Sequence, residues 1–284
     1  MPDGPAPGDR VFVVTGAGPG SLGEATARAL REHGRVITTR RSGAVTADFH
    51  PLDLADAGSV HAFADWLRSA TDRVDVLVNN AGVHLDLRRK WREPQLVDGL
   101  EVHWRTNYLG TAQLTRLLLP TLLDTAARIG EARVVNVVSQ LHERGRNAWL
   151  GGTVTPYDSW DAYATSKLAL VHEAAEIERR YGAQGVHGYS LHPGSVYTKV
   201  ADRGLETAPV LGRLRRLLAP VERRVLTSPE DGARTTVFCA TSADAVAGGY
   251  HRRSAVAEAS VELAEPGAGA GLWDRTSRWA ESLP

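Results

Sequence analysis

Short apolar runs alternate with longer amphipathic stretches along most of this 284-residue chain. The apolar runs have the length and composition of buried strands and span residues 11–15, 36–39, 74–79, 133–139 and 186–192. Helical patterns lie between them, notably at residues 24–33, 60–69, 97–119 and 161–181. Parallel strands need crossover connections, and crossover helices cover both faces of the sheet. The alternation therefore predicts a doubly wound α/β fold.

The chain is long enough for two domains of about 150 residues each, yet neither an internal repeat nor a linker divides it. We expect a flexible N-terminal tail over residues 1–9 and one domain over residues 10–284. The net charge is zero, so neither nucleic acid nor a membrane surface is indicated as a partner. Cys239 is the single cysteine, and the first residues lack the apolar stretch of a secretory signal, which predicts a cytoplasmic protein.

The segment between the first strand and the first helix reads TGAGPGSLG, in which Gly18, Gly20 and Gly23 follow the pattern G-x-G-x-x-G. Glycines let the backbone approach a pyrophosphate, and a helix N-terminus offers it free N–H groups and a favourable dipole. A merely tight turn could show the same letters. The position between a strand and a helix favours the dinucleotide-binding loop of a Rossmann fold.

The end of the second strand reads VITTRR, where an acidic residue would bind the 2′-hydroxyl of an NAD ribose. Arg40 and Arg41 suit a 2′-phosphate instead, although arginines there could also be solvated loop charges. Together with the glycine loop they favour NADP(H) as the cofactor, with Arg40 as the main contact.

Tyr163 and Lys167 are four residues apart on one predicted helix, so they lie on the same face. A phenol titrates near pH 10 and needs a nearby cation to act as an acid or base around neutrality. A surface tyrosine beside a solvated lysine is the alternative, but the chain holds only two further lysines, Lys90 and Lys199. Ser139 follows a predicted strand and Asn107 lies within a predicted helix, and each could alternatively be structural.

Two stretches with weak periodicity, residues 141–160 and 199–227, follow strand ends, where ligands bind in such sheets. The first holds Trp149, Tyr157 and Trp160, and the second is rich in leucine. We expect them to form the walls of a pocket for a bulky, largely apolar carbonyl or secondary alcohol, reduced more readily than oxidised. Both could instead pack on the core.

These motifs together resemble the short-chain dehydrogenase/reductase family from about residue 10 to the C-terminus. The matching stretches are TGAGPGSLG, Asp53, NNAG at 79–82, TNYLG with Asn107, NVVSQLH with Ser139, YATSK at 163–167 and HPGSVYT at 192–198. TSKLAL, SPEDGA and GLWDRTSRW are most similar to the retinol-dehydrogenase-like branch. Two departures are a glycine loop one residue longer than the family's and a stretch from 40 to 53 too short for the usual helix.

The resemblance implies an oxidoreductase that interconverts a carbonyl and an alcohol by hydride transfer. Tyr163 would pass a proton to or from the substrate oxygen, Ser139 would hydrogen-bond that oxygen, and Lys167 would also hold the nicotinamide ribose. Asn107 would fix a water that connects Lys167 to solvent. The full set of expected cofactor contacts is Gly16, Gly18, Gly20, Ser21, Leu22, Gly23, Arg40, Arg41, Asp53, Leu54, Asn80, Ala81, Gly82, Tyr163, Lys167, Pro193, Gly194, Val196 and Thr198.

Two other functions stay open: a non-catalytic NADP(H)-binding regulator, and an epimerase or dehydratase of the same fold that uses the cofactor transiently. No cluster of Cys, His and Asp has metal-ligand spacing, so we expect no catalytic metal. His142 falls near the predicted site, where we expect a structural or pocket-lining role. The sequence does not fix the oligomeric state, and a homodimer is one option.

Overall fold

A single sheet of eight strands organises the computed structural model, which describes residues 10–84, 92–194, 227–265 and 267–283. In chain order the strands are β1 (Arg10–Val14), β2 (Gly34–Arg40), β3 (Phe49–Pro51), β4 (Val76–Asn79), β5 (Leu96–Val97), β6 (Leu100–Glu101), β7 (Ala132–Val137), β8 (Val186–His192), β9 (Tyr250–Arg252) and β10 (Ala255–Ala257). The short strands β5 and β6 pair with each other, and the sheet has the order β10-β9-β8-β7-β4-β1-β2-β3. Among these described strands, β9 and β10 form the one antiparallel pair of the sheet.

Helices cover both faces of this sheet. They are α1 (Leu22–Leu30), α2 (Ala57–Ala70), α3 (Gly110–Ile129), α4 (Ser159–Tyr181), α5 (Pro229–Thr241) and α6 (Ala268–Glu281). Side chains of β1 alternate between the faces: Val13 packs in one core with Phe63 of α2, and Val14 packs in the other with Leu30 of α1. The predicted doubly wound α/β fold is therefore confirmed.

The direction of the chain across the sheet reverses beside β1. From β1 the chain moves outward through β2 and β3, and it then crosses to β4 on the other side of β1. In doubly wound sheets, ligands bind at the carboxyl ends of the strands where the order reverses. We therefore expect a ligand-binding site at the loops that follow β1 and β4.

The predicted helix over residues 97–119 is wrong at both ends. Residues 96–101 form the β5–β6 hairpin, because Asp98 and Gly99 both adopt positive φ, 52° and 75°, as a two-residue hairpin turn requires. Helical structure begins at Val102, includes a π-helix, Trp104–Leu109, and continues as α3 past Pro120 to Ile129. Proline removes one helical hydrogen bond, but burial of the following turns, including Leu122 and Ala126, keeps the chain helical.

The short stretch between β2 and β3 contains no helix within residues 41–48, as its length predicts. Among the helices of the described residues, none has the length and apolar composition needed to cross a membrane. The tail over residues 1–9 and almost all of the expected pocket segment 199–227 lie outside the described residues.

Candidate active site

A cavity of about 420 Å³ opens at the carboxyl ends of the central strands. Seventeen of the predicted site residues line it: Gly16, Gly18, Ser21, Leu22, Gly23, Arg40, Arg41, Asp53, Leu54, Asn80, Ala81, Gly82, Ser139, Tyr163, Lys167, Pro193 and Gly194. Gly20 and Asn107 do not line it. The remaining two predicted contacts, Val196 and Thr198, lie outside the described residues.

The glycine loop is fixed by local hydrogen bonds at the start of α1. Ser21 caps the helix and accepts a hydrogen bond from the Glu24 N–H at 3.1 Å, while the Glu24 carboxylate accepts one from the Gly20 N–H at 2.6 Å. This reciprocal arrangement is close to a capping box. Gly20 therefore has a structural part in the turn, with φ at 72°.

Two glycines of the loop differ in the space that a side chain would have. A Cβ on Gly23 would lie 2.6 Å from the Gly16 carbonyl oxygen and 2.5 Å from Asn80 Nδ2, so Gly23 lets α1 pack against the turn. A Cβ on Gly18 would meet no protein atom within 4 Å, although Gly18 lines the cavity. The backbone at Gly18 is thus open to a ligand, as a dinucleotide pyrophosphate requires. The residues of the loop fit that group.

This difference predicts that an alanine at position 18 weakens cofactor binding, whereas an alanine at position 23 lowers the stability of the fold. Gly18→Ala should keep the wild-type melting temperature, because the added methyl group meets no protein atom, but raise the Kd for NADPH roughly 5- to 150-fold by crowding the cavity. Gly23→Ala should lower the free energy of unfolding by about 1 to 3 kcal/mol. Thermal unfolding and fluorescence titration measure the two effects. Wild-type NADPH affinity in Gly18→Ala would contradict the phosphate-loop assignment.

Both arginines at the end of β2 line the cavity and are exposed. Arg40 is held in place, since its Nε donates to the Ser42 carbonyl oxygen at 2.8 Å and its guanidinium lies 4.7 Å from the centre of the Phe49 ring. Such stacking suits arginine and leaves part of the planar group open for an anion. The contact of Arg40 and Arg41 with a 2′-phosphate stays a prediction.

The NNAG motif joins β4 to the glycine loop. Asn80 Nδ2 donates to the Thr15 carbonyl oxygen at 2.8 Å, and the Ala81 N–H donates to Thr15 Oγ1 at 3.0 Å. A Cβ on Gly82 would lie 3.2 Å from Lys167 Nζ and 3.3 Å from Asn107 Oδ1. Glycine at this position therefore allows two candidate catalytic side chains to approach the backbone.

Ser139, Tyr163 and Lys167 come together at the cavity floor. Burial raises the pKa of Tyr163 to about 12, and the interaction with the Ser139 side chain opposes this rise. Lys167 Nζ donates to the Val137 carbonyl oxygen at 3.1 Å and lies 5.9 Å from the centre of the Tyr163 ring. Burial lowers the pKa of Lys167 to about 8. Lys167 is only 4% exposed, which rules out the solvated-lysine alternative.

Asn107 lies in the π-helix that precedes α3 and is fully buried. Its Oδ1 accepts from the Val83 N–H at 2.7 Å, and its Nδ2 donates to the Val83 carbonyl oxygen at 2.9 Å and to Ser166 Oγ at 3.2 Å. The side chain thereby fixes the backbone that follows β4, beside Lys167. Whether it also holds a water for Lys167 stays a prediction.

The sequence did not single out several cavity residues. Beside the predicted set, the lining includes Pro19, Leu52, Val83, His84, Thr106, Val137, Val138 and His192. His84 stacks on Tyr163, with ring centroids 4.2 Å apart. It could have been found from its position just after NNAG, at the carboxyl end of a buried strand. Of the three aromatic residues expected at the pocket, Trp160 contacts His84 and Tyr157 donates to Glu101, and none of the three lines the cavity.

His142 has a structural role, as its ring nitrogens lie 2.8 Å from the Ser139 carbonyl oxygen and 3.2 Å from the Ser260 N–H. Across residues 10–84, 92–194, 227–265 and 267–283, no group of three or more His, Cys, Asp or Glu side chains could hold a metal ion.

The fold and the site together assign this chain to the class of Rossmann-fold oxidoreductases. The family model for short chain dehydrogenases matches residues 10–208. The chain is 37% identical to polyprenol dehydrogenase from Mus musculus, covering 89% of this chain and 78% of that protein. It is 34% identical to retinol dehydrogenase 12 from Bos taurus, covering 81% and 73%. A solved structure of an uncharacterized protein from Mycobacterium paratuberculosis matches with a TM-score of 0.70 and 30% identity, covering 98% of this chain and 96% of that one.

The chain therefore belongs to the short-chain dehydrogenase/reductase family, near its retinol-dehydrogenase-like branch. The resemblance of the motifs to this family and to this branch is confirmed.

Proposed function

We propose that this protein is an NADP(H)-dependent oxidoreductase that reduces a ketone or aldehyde to an alcohol, or catalyses the reverse reaction, with Tyr163 as the general acid or base. The observation that carries the proposal is that Ser139, Tyr163 and the buried Lys167 line the same cavity as the glycine loop. When bound, NADPH supplies the hydride.

Each of the three side chains has a distinct task at the substrate oxygen. Ser139 donates a hydrogen bond to that oxygen, and the Tyr163 hydroxyl delivers the proton as the carbonyl becomes an alcohol. A phenol with its pKa raised to about 12 is a poor acid, so the tyrosinate left behind needs a cation. Protonated Lys167 supplies that charge. By resemblance to the family, Lys167 also binds the nicotinamide ribose, and the rest of the cofactor is held by the glycine loop and by Asp53, Leu54, Asn80, Ala81, Gly82, Pro193 and Gly194.

We expect a preference for NADP(H) over NAD(H), because Arg40 and Arg41 line the cavity at the end of β2. A charge-assisted hydrogen bond to phosphate contributes roughly 1.5 to 3 kcal/mol, or about 10- to 100-fold in affinity. Arg40→Ala should raise the Kd for NADPH by that factor and leave the Kd for NADH unchanged. Arg31→Ala, at an exposed arginine outside the cavity lining, is the control. Equal kcat/KM for the two cofactors in the wild type would refute the preference.

The substrate in this proposal is bulky and largely apolar. Support comes from the His84 ring, which lines the cavity and stacks on Tyr163, and from the names of the two relatives, a polyprenol and a retinol dehydrogenase. Reduction is the favoured direction because cells generally keep NADPH in excess of NADP. We further propose that residues 10–284 form one domain, in which no residue of segment 141–160 lines the described cavity. We also propose a cytoplasmic location, which the single cysteine supports, and a homodimer.

A screen of carbonyl compounds with NADPH tests the function directly. We expect absorbance loss at 340 nm with polycyclic or long-chain apolar ketones and aldehydes, and higher kcat/KM for these than for small polar sugars or hydroxy acids. A reversed order would refute the substrate class. Product formation without net cofactor consumption would indicate an epimerase or dehydratase, and NADPH binding without any turnover would indicate a regulator.

A further inference from the structure

The ring of Tyr163 lies within a cluster of aromatic side chains that the proposed chemistry does not use. The His84 imidazole lies flat on it, with 4.2 Å between ring centroids and 13° between ring planes. His103 meets it edge-on at 5.9 Å and 86°. Two imidazoles therefore pack against the ring of the candidate acid, and His84 itself lines the cavity.

His84 is in turn held in place by its neighbours. Trp160 contacts it edge-on at 4.6 Å and 82°, and His103 contacts it at 5.8 Å and 74°. Edge-to-face contacts of this kind are favourable, because the positive edge of one ring meets the negative face of another. The His84 ring is thus fixed in the plane in which it stacks on Tyr163.

A buried carboxylate anchors the cluster from behind. Glu101 Oε1 lies 2.8 Å from His103 Nδ1 and accepts a hydrogen bond from the Tyr157 hydroxyl at 3.1 Å, while Oε2 accepts one from the Trp104 N–H at 2.8 Å. His103 is fully buried and Glu101 is 6% exposed. Three groups on one desolvated carboxylate make a rigid support, because hydrogen bonds are strong where water is excluded.

From this geometry we propose that His84 is a positioning residue, which fixes the ring plane of Tyr163 so that its hydroxyl stays within reach of Ser139 and of the substrate oxygen. The inference rests on the proposed function, in which Tyr163 transfers the proton. Proton transfer requires hydrogen-bond distance, and displacement by about 1 Å can cost on the order of 100-fold in rate. Stacking needs a flat ring, whereas it needs neither ring nitrogen of His84.

The test compares His84→Ala with the conservative His84→Phe, which keeps a flat ring. We expect His84→Ala to lower kcat for carbonyl reduction roughly 10- to 100-fold, with smaller changes in KM and an unchanged Kd for NADPH. His84→Phe should restore kcat to within about threefold of wild type. His50→Ala is the matched control, because His50 also contacts aromatic rings, those of Phe63 and Trp66, but does not line the cavity. Its kcat should equal that of the wild type.

A spectroscopic measurement adds a readout that does not depend on turnover. In protein with ¹³C-labelled tyrosine, the ring signals of Tyr163, assigned with Tyr163→Phe, should show slow ring flipping in the wild type and in His84→Phe, and faster flipping in His84→Ala. The inference is overturned if His84→Ala keeps wild-type kcat, if it changes KM alone, if His84→Phe is as impaired as His84→Ala, or if ring flipping does not change. A wild type that consumes no NADPH with any carbonyl refutes the proposed function instead.

Discussion

Tyr163→Phe is expected to lower kcat for carbonyl reduction by about 10²- to 10⁴-fold, the range that a positioned general acid contributes. The substitution removes the transferable proton and leaves the ring, so stacking with His84 and the packing of α4 should persist. NADPH should bind with nearly wild-type affinity, because the glycine loop and Arg40 are unchanged. Steady-state kinetics and fluorescence titration on the same preparation separate the two effects.

Tyr250→Phe provides the matched control for this experiment. Tyr250 is buried, and its hydroxyl has no hydrogen-bond partner among the described residues, so deleting the hydroxyl group breaks no contact. Its kcat should match that of the wild type. Wild-type kcat in Tyr163→Phe would end the assignment of Tyr163 as the acid.

The parts of the molecule that follow from strand and helix periodicity could be predicted from the sequence. β8 has the bounds Val186–His192 that its apolar run predicts, and the missing helix after β2 follows from the short distance to Asp53. The prediction of a helix over 97–119 is wrong at its start because the apolar pattern of the helix continues through the hairpin. The Asp98–Gly99 pair was the local signal for that turn.

Some residues of the candidate site could likewise be identified from the sequence, and others could not. Tyr163, Lys167 and Ser139 could be identified because their sequence motifs imply positions on one helix face and at one strand end. Glu101 could not, since its importance comes from its contacts with His103 and Tyr157 and not from a motif, whereas the position of His84 just after NNAG could have indicated it. Trp149 shows the opposite error: it lies in the expected pocket segment, yet it does not line the cavity.

Lys167 is expected to lower the stability of the fold, although the proposed proton transfer needs its positive charge. Its pKa in the folded protein is about 8, below the ordinary value of 10.5, so folding opposes its positive charge. Below pH 8 the full penalty is present, on the order of 3 kcal/mol. As the pH rises from about 8 to 10.5, the unfolded chain binds more protons than the folded one, so stability increases and the penalty disappears.

Lys167→Met is therefore expected to raise the free energy of unfolding at pH 7 by about 1 to 3 kcal/mol and to abolish carbonyl reduction. The gain is smaller than the full penalty because methionine loses the hydrogen bond from Nζ to the Val137 carbonyl oxygen, about 1 kcal/mol. Urea denaturation at pH 7 and pH 10 measures it, and the gain should vanish at pH 10. Arg31→Met, an exposed change of the same kind, should shift stability by less than about 0.5 kcal/mol at both pH values. The prediction is wrong if Lys167→Met is less stable than the wild type at pH 7. In that case the buried ammonium stabilises the fold, and groups other than Val137 compensate its charge.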